Sequence, residues 1–262
     1  MTDQNPYQAP DANLTEGRKG PDVELAVTGI KSLPAGAGVE WIKDAFNLFK
    51  MNPLIWIVLV LIWFVLNFVG QIIPIIGPLV MSLLYAVFVA GFMLGCAALE
   101  RGEKLEIGHL FAGFKNNTGS LIGLGAIYLL AAIVMVLILG IFVFAGAGGL
   151  SILSNPESIN PADIFNSGFL IALLIGALLF IPIAMMFWFA PALISLGGIS
   201  LIDSLKMSFS GCLKNILPMF LFGLIMMVLA VIASIPFGLG WLVLMPMGMA
   251  AFYTAYRSIY TE

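Results

Sequence analysis

The sequence predicts an all-α membrane protein, a polytopic bundle with six transmembrane helices. Hydrophobic residues make up 61% of the 262-residue chain and charged residues 10%, a balance that a water-soluble domain cannot bury. All eleven Lys and Arg residues lie outside six apolar segments and on one side of them. Because membrane proteins keep Lys and Arg in cytoplasmic connections, this pattern places both chain ends in the cytoplasm and the protein in an inner (plasma) membrane.

Each apolar segment is long enough to cross a hydrocarbon core of about 30 Å, since a helix rises about 1.5 Å per residue. None contains Asp, Glu, Lys, Arg or His in its interior. The predicted spans are Leu54 to Ile73, Ile76 to Ala98, Gly119 to Ala145, Gly168 to Ala190, Leu217 to Pro236 and Leu239 to Tyr256. Their notable polar residues are Asn67, Gln71, Ser82, Tyr85, Tyr128, Ser234 and Thr254.

Residues 1–36 are predicted to form a disordered cytoplasmic tail, because they are polar, rich in proline and lack apolar periodicity. Within this tail, residues 5–10 form a proline-containing string that either serves as a docking peptide or is simply solvated. The six-span membrane domain then comprises residues 37–262. On the side away from the Lys and Arg, only the segment of residues 146–166 carries charge, as Glu157 and Asp163.

Three segments on the basic side repeat a common pattern when they are aligned on an asparagine. Apolar residues stand ten, six and three positions before each asparagine, which places them on one helical stripe. The stripes consist of Ile42, Phe46, Phe49 and Asn52, then Ile107, Phe111, Phe114 and Asn117, and finally Leu205, Phe209, Cys212 and Asn215.

The repeated unit is therefore an interfacial amphipathic helix followed by a transmembrane hairpin. Its three copies are predicted at about residues 37–99, 100–191 and 192–258. Every copy begins on the same side, so the repeats are parallel and related by a pseudo-threefold axis along the membrane normal. Asn52, Asn117 and Asn215 are interpreted as N-caps of the following spans, with a ring of amides at a pore mouth as the alternative.

Two further patterns concern helix packing and shape. Gly91 and Gly95 form a G-x-x-x-G pair on the second span, which lets another backbone approach closely. Pro182 in the fourth span and Pro246 in the sixth remove backbone donors and are predicted to kink their helices. The fourth apolar run extends to about Leu196, so hydropathy alone does not distinguish one continuous span from a broken or re-entrant helix.

No catalytic residue, cofactor or metal site is predicted. His109 is the only histidine and has no Cys, His or Asp at ligand spacing, so a metal site is disfavoured. Acid–base chemistry would have to use His109 with Glu103 or Glu106, although a solvated charge cluster explains these residues as well. Cys96 and Cys212 both map near the reducing face and are interpreted as small apolar residues.

Two strings carry a family resemblance. Residues 36–42 read Gly-Ala-Gly-Val-Glu-Trp-Ile and continue into Phe46-Asn47-Leu48-Phe49 and Asn52-Pro53, and residues 110–115 read Leu-Phe-Ala-Gly-Phe-Lys. Together they resemble an uncharacterised family of six-span inner-membrane proteins of proteobacteria. This family is distantly similar to the membrane domain of some glycerophosphodiester phosphodiesterases. The resemblance implies a bacterial inner-membrane location and the same helix count, but transfers no catalytic residue.

The leading hypothesis is a non-enzymatic scaffold or accessory subunit that presents three interfacial helices to a membrane-protein partner or to further copies of itself. The alternative is a facilitator or translocator of lipid or another apolar solute, which requires a cavity or lateral opening. An enzyme ranks third, because no ionisable residue lies within the spans. Membrane lipids are expected partners, whereas the net charge of −3 excludes a nucleic-acid partner.

Overall fold

The computed structural model describes residues 26–146 and 167–261. Within these ranges the chain forms nine α-helices and a 3₁₀ helix, with no strand, so the predicted all-α bundle is confirmed. The α-helices are α1 (Ala37–Met51), α2 (Pro53–Ile72), α3 (Ile76–Glu100), α4 (Thr118–Gly146), α5 (Ser167–Trp188), α6 (Ala190–Ser195), α7 (Leu201–Lys214), α8 (Ile216–Ser234) and α9 (Trp241–Tyr260). The 3₁₀ helix spans Ile107–Phe114.

Five helical segments in the described ranges are long and apolar enough to cross a membrane: α2, α3, α4, the α5–α6 segment and α8. Helices α2, α3, α4, α5 and α8 begin within one residue of the first five predicted spans. The sixth predicted span, Leu239 to Tyr256, falls in α9, which does not meet the same criterion. Five of the six predicted spans therefore meet this criterion, while α9 runs from the turn at residues 235–240 back to Glu100 at the end of α3, as the sixth predicted span requires.

Helix α9 is less apolar because its polar residues lie inside the bundle. It has 20 residues and is joined to α8 by a short turn at residues 235–240. The Tyr253 hydroxyl donates to Glu100 Oε2 at 2.8 Å, and the Thr254 hydroxyl donates to the Trp41 carbonyl oxygen at 3.0 Å. Arg257 pairs with Glu100 at the end of α3. A helix that is shielded from lipid by its neighbours does not need an entirely apolar surface.

The interfacial elements pack on the hairpins in a cyclic order. Helix α1 contacts α8 and α9, the 3₁₀ helix contacts α2 and α3, and α7 contacts α4 and α5. Each interfacial element therefore lies against the hairpin of the unit before it, and the first closes the cycle on the last. The predicted order of interfacial element and hairpin is thus present three times. The second element differs from the prediction, because it is a short 3₁₀ helix rather than an α-helix.

The hydrophobic core lies at the end of the bundle that carries Lys50, Arg101, Lys115 and Lys214, here called the basic end. Trp56, Phe92, Tyr253 and Tyr256 are buried there, and α3 is buried continuously from residue 86 to residue 99. Toward the opposite end, the outer faces of α2, α4 and α5 carry exposed apolar side chains suited to lipid contact. The basic end is therefore the packed half of the molecule.

Glycines explain how closely the 3₁₀ helix approaches α3. A Cβ atom on Gly91 would overlap the backbone oxygens of His109 and Leu110, and one on Gly95 would lie 2.8 Å from Leu105 Cδ1. From the other side, a Cβ on Gly113 would overlap the Val87 carbonyl oxygen. The G-x-x-x-G pair therefore forms the contact surface for the second interfacial element.

The fourth apolar run is broken at Phe189, where α5 ends and α6 begins. The Ser208 hydroxyl on α7 donates to the Met185 carbonyl oxygen at 2.7 Å and accepts from the Phe189 N–H at 2.9 Å. In a continuous helix these two backbone groups would bond to each other, since they are four residues apart. A side chain inserted into the backbone ladder is an established cause of a helix bend.

The predicted disordered tail is wrong for its last part. Residues 1–25 lie outside the described residues, but residues 26–34 form an extended segment across the basic end. The backbone N–H groups of Thr28 and Lys31 donate to the carbonyl oxygens of Tyr260 and Ile259, both at 2.9 Å. The segment is ordered because every third residue is apolar and packs on the core. These residues are Val27, Ile30 and Leu33.

Substitution Gly91→Ala should destabilise the protein by about 1 to 3 kcal/mol, because the added methyl group collides with backbone that cannot rotate away. Gly140→Ala on α4 is the matched control, since a Cβ atom there meets nothing within 4 Å. Thermal unfolding of both variants in detergent measures the difference. Equal melting temperatures would contradict the close-packing role of Gly91.

Substitution Ser208→Ala removes the shared partner of the Met185 carbonyl and the Phe189 N–H. We expect a loss of about 1 to 3 kcal/mol, because the Phe189 N–H is left without its acceptor and the Met185 carbonyl keeps only the weak Cys212 thiol donor at 3.5 Å. Ser204→Ala, one turn earlier on α7, is the control because that hydroxyl bonds only to the Leu201 carbonyl of its own helix. If thermal unfolding shows the two variants equally stable, the Ser208 bridge contributes nothing to stability.

Candidate functional site

A cavity of about 490 Å³ lies at membrane depth between α2, α3, α4 and α5. Its wall is mainly apolar, with side chains such as Met135, Phe180 and Phe187. The polar residues on the wall are Asn67, Gln71, Ser82, Tyr85 and Tyr128. These are five of the seven polar residues that the sequence analysis singled out within the spans. The bundle therefore gathers most of its intramembrane polar groups around one space.

The polar residues stand at two depths. Asn67 and Gln71 belong to the last two turns of α2, close to the end opposite the basic end. Tyr85 and Tyr128 lie nine and ten residues into α3 and α4, which start at opposite ends. At about 1.5 Å per residue, both tyrosines lie about 14 to 15 Å from their helix starts, near the middle of the bundle. The cavity thus has amides near its outer level and phenols deep inside.

Several of these polar groups have no protein partner. The Ser82 hydroxyl donates to the Pro78 carbonyl oxygen at 2.8 Å, and Asn67 Nδ2 donates to the Trp63 carbonyl oxygen at 2.8 Å. Within the described ranges, the side chains of Gln71, Tyr85 and Tyr128 make no hydrogen bond. Because hydrocarbon offers no hydrogen bonds, these groups need water or a ligand in the cavity.

Aromatic packing borders the cavity toward the basic end. The rings of Trp188 and Phe252 meet edge to face with centroids 4.9 Å apart, and Pro191 beside them is buried. These residues belong to the cavity wall and lie next to the break between α5 and α6. Tyr128 and Phe187 form a second edge-to-face pair in the same wall, with ring centroids 5.2 Å apart.

The predicted interfacial stripes differ in burial. Leu205, Cys212 and Asn215 of the third stripe are buried and Phe209 is half-buried, whereas Ile107, Phe111, Phe114 and Asn117 of the second are all exposed. In the first stripe, Phe49 is buried, Ile42 and Asn52 are half-buried and Phe46 is exposed. The structure does not bring the three stripes together into one site. Their functional role stays a prediction.

The stripe asparagines have a different role from the predicted one. Asn52 and Asn215 stand at the predicted N-cap positions of α2 and α8, but the predicted hydrogen bond from the side chain to the following helix is absent in both. Asn215 instead accepts a hydrogen bond from the Leu33 N–H at 2.9 Å and donates to the Lys31 carbonyl oxygen at 2.8 Å. Asn117 donates to the Ile194 carbonyl oxygen of α6 at 2.9 Å. Both amides therefore tie distant segments together at the basic end.

The residues of the enzyme hypothesis have structural roles. His109 Nδ1 lies 3.0 Å from the Glu106 backbone nitrogen and accepts its hydrogen at the start of the 3₁₀ helix. A hydrogen bond from Arg101 is the main reason that the pKa of the exposed Glu103 carboxyl is lowered. That shift favours the ionised form and works against a general acid. In the described part of the chain, no three His, Cys, Asp or Glu residues cluster as a metal site.

The two cysteines are free and buried. Burial raises the pKa of the Cys212 thiol to about 12. A thiol that stays protonated at neutral pH is a weak nucleophile, so the position fits its interpretation as a small apolar residue.

Comparison with known proteins supplies the family. Residues 39–259 match a family described as a domain of unknown function (DUF7847). The chain belongs to this family. It is also similar to a probable inner membrane protein of Burkholderia thailandensis, with 30% identity over 216 residues that cover 78% of this chain and 77% of the relative. No solved structure matches the chain.

Membership of DUF7847 confirms that the chain belongs to an uncharacterised membrane family. The apolar helices, together with similarity to a probable inner membrane protein, identify an integral membrane protein. The similarity to glycerophosphodiester phosphodiesterases stays a prediction, because neither the family nor the relative is described as one of those proteins.

The polar residues of the cavity were singled out from the sequence, but no shared site was predicted for them. Their spacing held a further indication. Asn67 and Gln71 are four residues apart, and Ser82 and Tyr85 are three apart, so each pair occupies one helix face. Two polar faces on consecutive spans indicate a shared polar surface between these helices.

Proposed function

We propose that this DUF7847 protein binds a lipid or another apolar solute in the intramembrane cavity and facilitates its movement, without catalysing a reaction. The observation that carries the proposal is the cavity between α2, α3, α4 and α5. This places the facilitator hypothesis ahead of the scaffold hypothesis, which required no cavity.

The size and chemistry of the cavity support this function. Its volume of about 490 Å³ lies within the range of about 300 to 1,000 Å³ that is typical of small-molecule pockets. Mostly apolar walls with a few polar groups are also typical of such sites. The hydrocarbon part of a lipid would contact the apolar wall, while the polar groups would fix its orientation.

The scaffold or accessory role is the second candidate. The exposed second stripe favours it, because the side chains of Ile107, Phe111 and Phe114 are 39–45% exposed. The third stripe argues against three equivalent docking helices, since Leu205 and Cys212 are buried within the protein itself. An apolar stripe at this level also has a simpler partner in the acyl chains of the bilayer.

We further propose that both chain ends and all three interfacial elements face the cytoplasm of a bacterial cell. The distribution of Lys and Arg supports this orientation. A reporter fused to the chain truncated after Gly102 or after Gly211 should therefore be active only as a cytoplasmic fusion. The same reporter placed in the turn at residues 235–240 is the control and should face the periplasm. Periplasmic display after Gly102 would reverse the proposed topology.

Lipid binding can be tested by filling the cavity. Substitution Ala132→Trp adds a large side chain to the cavity wall, whereas Ala126→Trp adds the same side chain to the exposed face of the same helix. We expect Ala132→Trp to weaken binding on the order of tenfold, since overpacking costs about 1 to 3 kcal/mol. Photocrosslinking with diazirine-acyl lipids in nanodiscs, followed by peptide mapping of α3 and α4, measures the effect.

The control should crosslink like the natural protein, and both variants should melt within a few degrees of it. If Ala132→Trp and Ala126→Trp crosslink equally, the cavity is not the binding site. A protein partner recovered in fixed stoichiometry from native membranes would then favour the accessory role.

A further inference from the structure

We propose that the ligand of the cavity is an uncharged amphiphile from the membrane, with a head group that both donates and accepts hydrogen bonds. The head would bond to Gln71 at the outer level and to Tyr85 and Tyr128 deeper in, and the hydrocarbon chain would lie along the apolar wall. This assignment rests on the proposed function and adds the class of ligand to it.

The first argument is the set of polar groups left without a partner. The Tyr85 and Tyr128 hydroxyls and the Gln71 amide make no hydrogen bond in the described part of the chain. Each of them can both donate and accept. They occupy neighbouring faces of α2, α3 and α4, so one bound head group can satisfy more than one of them. A pure hydrocarbon would leave the two tyrosine hydroxyls unsatisfied at mid-bundle depth, where water is scarce.

The second argument is the absence of formal charge around the ligand. Among the described residues that line the cavity there is no Asp, Glu, Lys, Arg or His. A phosphate head would enter a medium of low polarity without a counter-charge, which is strongly unfavourable. The described Lys and Arg residues that could pair with it lie at the basic end, in or beside the interfacial elements and at the ends of α3 and α9. A charged lipid is therefore a poor ligand for this cavity.

The third argument is the arrangement of polar groups by depth. Asn67 and Gln71 lie near the outer end of α2, and the Asn67 side-chain oxygen has no donor in the described part of the chain. The two tyrosines lie deeper, about 14 to 15 Å along their helices. A head group with hydroxyl and carbonyl oxygens can exchange hydrogen bonds with the amides first and with the phenols further in. Apart from Ser82, the wall between these levels is apolar and suits the attached chains.

The experiment compares two photoreactive lipids that share the same diazirine-acyl chains. One is a diacylglycerol, whose head is an uncharged hydroxyl, and the other is a phosphatidylglycerol, whose head carries a phosphate. Each is added in equal amount to nanodiscs that hold the full chain. We expect the diacylglycerol to label peptides of α3 and α4 that line the cavity at least several-fold more than the phosphatidylglycerol. Equal or stronger labelling by the anionic lipid would overturn the assignment.

Three variants test the hydrogen bonds themselves. Tyr85→Phe, Tyr128→Phe and Gln71→Leu should each lower diacylglycerol labelling about two- to tenfold, the effect of losing one neutral hydrogen bond. Tyr256→Phe is the matched control, because it removes a phenol hydroxyl that is buried without a partner and lies outside the cavity wall. If the three cavity variants label like Tyr256→Phe, the polar groups do not select the head.

The outcomes separate this inference from the proposed function. If Ala132→Trp lowers labelling by both lipids while the tyrosine and glutamine variants change neither, the cavity binds lipid and the head-group assignment alone is wrong. If Ala132→Trp also changes nothing, the proposed function fails together with the inference.

Discussion

The structure depends on the contact between each interfacial element and the hairpin of the preceding unit. Helix α1, the 3₁₀ helix and α7 lie against successive hairpins, and the last contact closes the cycle. Lipid tails are as apolar as the helix surfaces, so burying one helix against another gives little net attraction. Close packing must therefore hold the helices together. Glycines such as Gly91 and Gly113 provide that packing at the basic end. The opposite half is less constrained, and the cavity lies partly within it.

The bundle handles its polar groups in two ways. At the basic end most of them bond to other protein groups, as Tyr253 and Arg257 of α9 do with Glu100 of α3, and the buried Tyr256 hydroxyl is an exception among the described residues. In the cavity, Gln71, Tyr85 and Tyr128 have no such partners in the described part of the protein. The first arrangement stabilises a closed interface, and the second leaves hydrogen-bonding capacity for something that is not part of the chain. This difference separates the structural half of the molecule from its candidate site.

Local patterns predicted the elements well, and tertiary contacts decided the rest. The starts of α2, α3, α4, α5 and α8 follow from apolar run length, and the interfacial elements follow from the four- and three-residue steps of the stripes. Helix α9 is less apolar than the other spans, because much of its surface faces other helices rather than lipid. The roles of Asn117 and Asn215 could not be predicted, since their partners lie 77 and 184 residues away in sequence.

The Ser208 hydroxyl bridges the junction between α5 and α6. A hydroxyl group can rotate and keep both of its hydrogen bonds over a range of angles, which a direct bond between the Met185 carbonyl and the Phe189 N–H cannot do. Helix α5 has 22 residues and is thus about 33 Å long. A change of about 10° in the angle at this junction would displace the far tip of α5 by about 6 Å. The bonds of one serine beside the core therefore fix where the lipid-facing end of α5 stands.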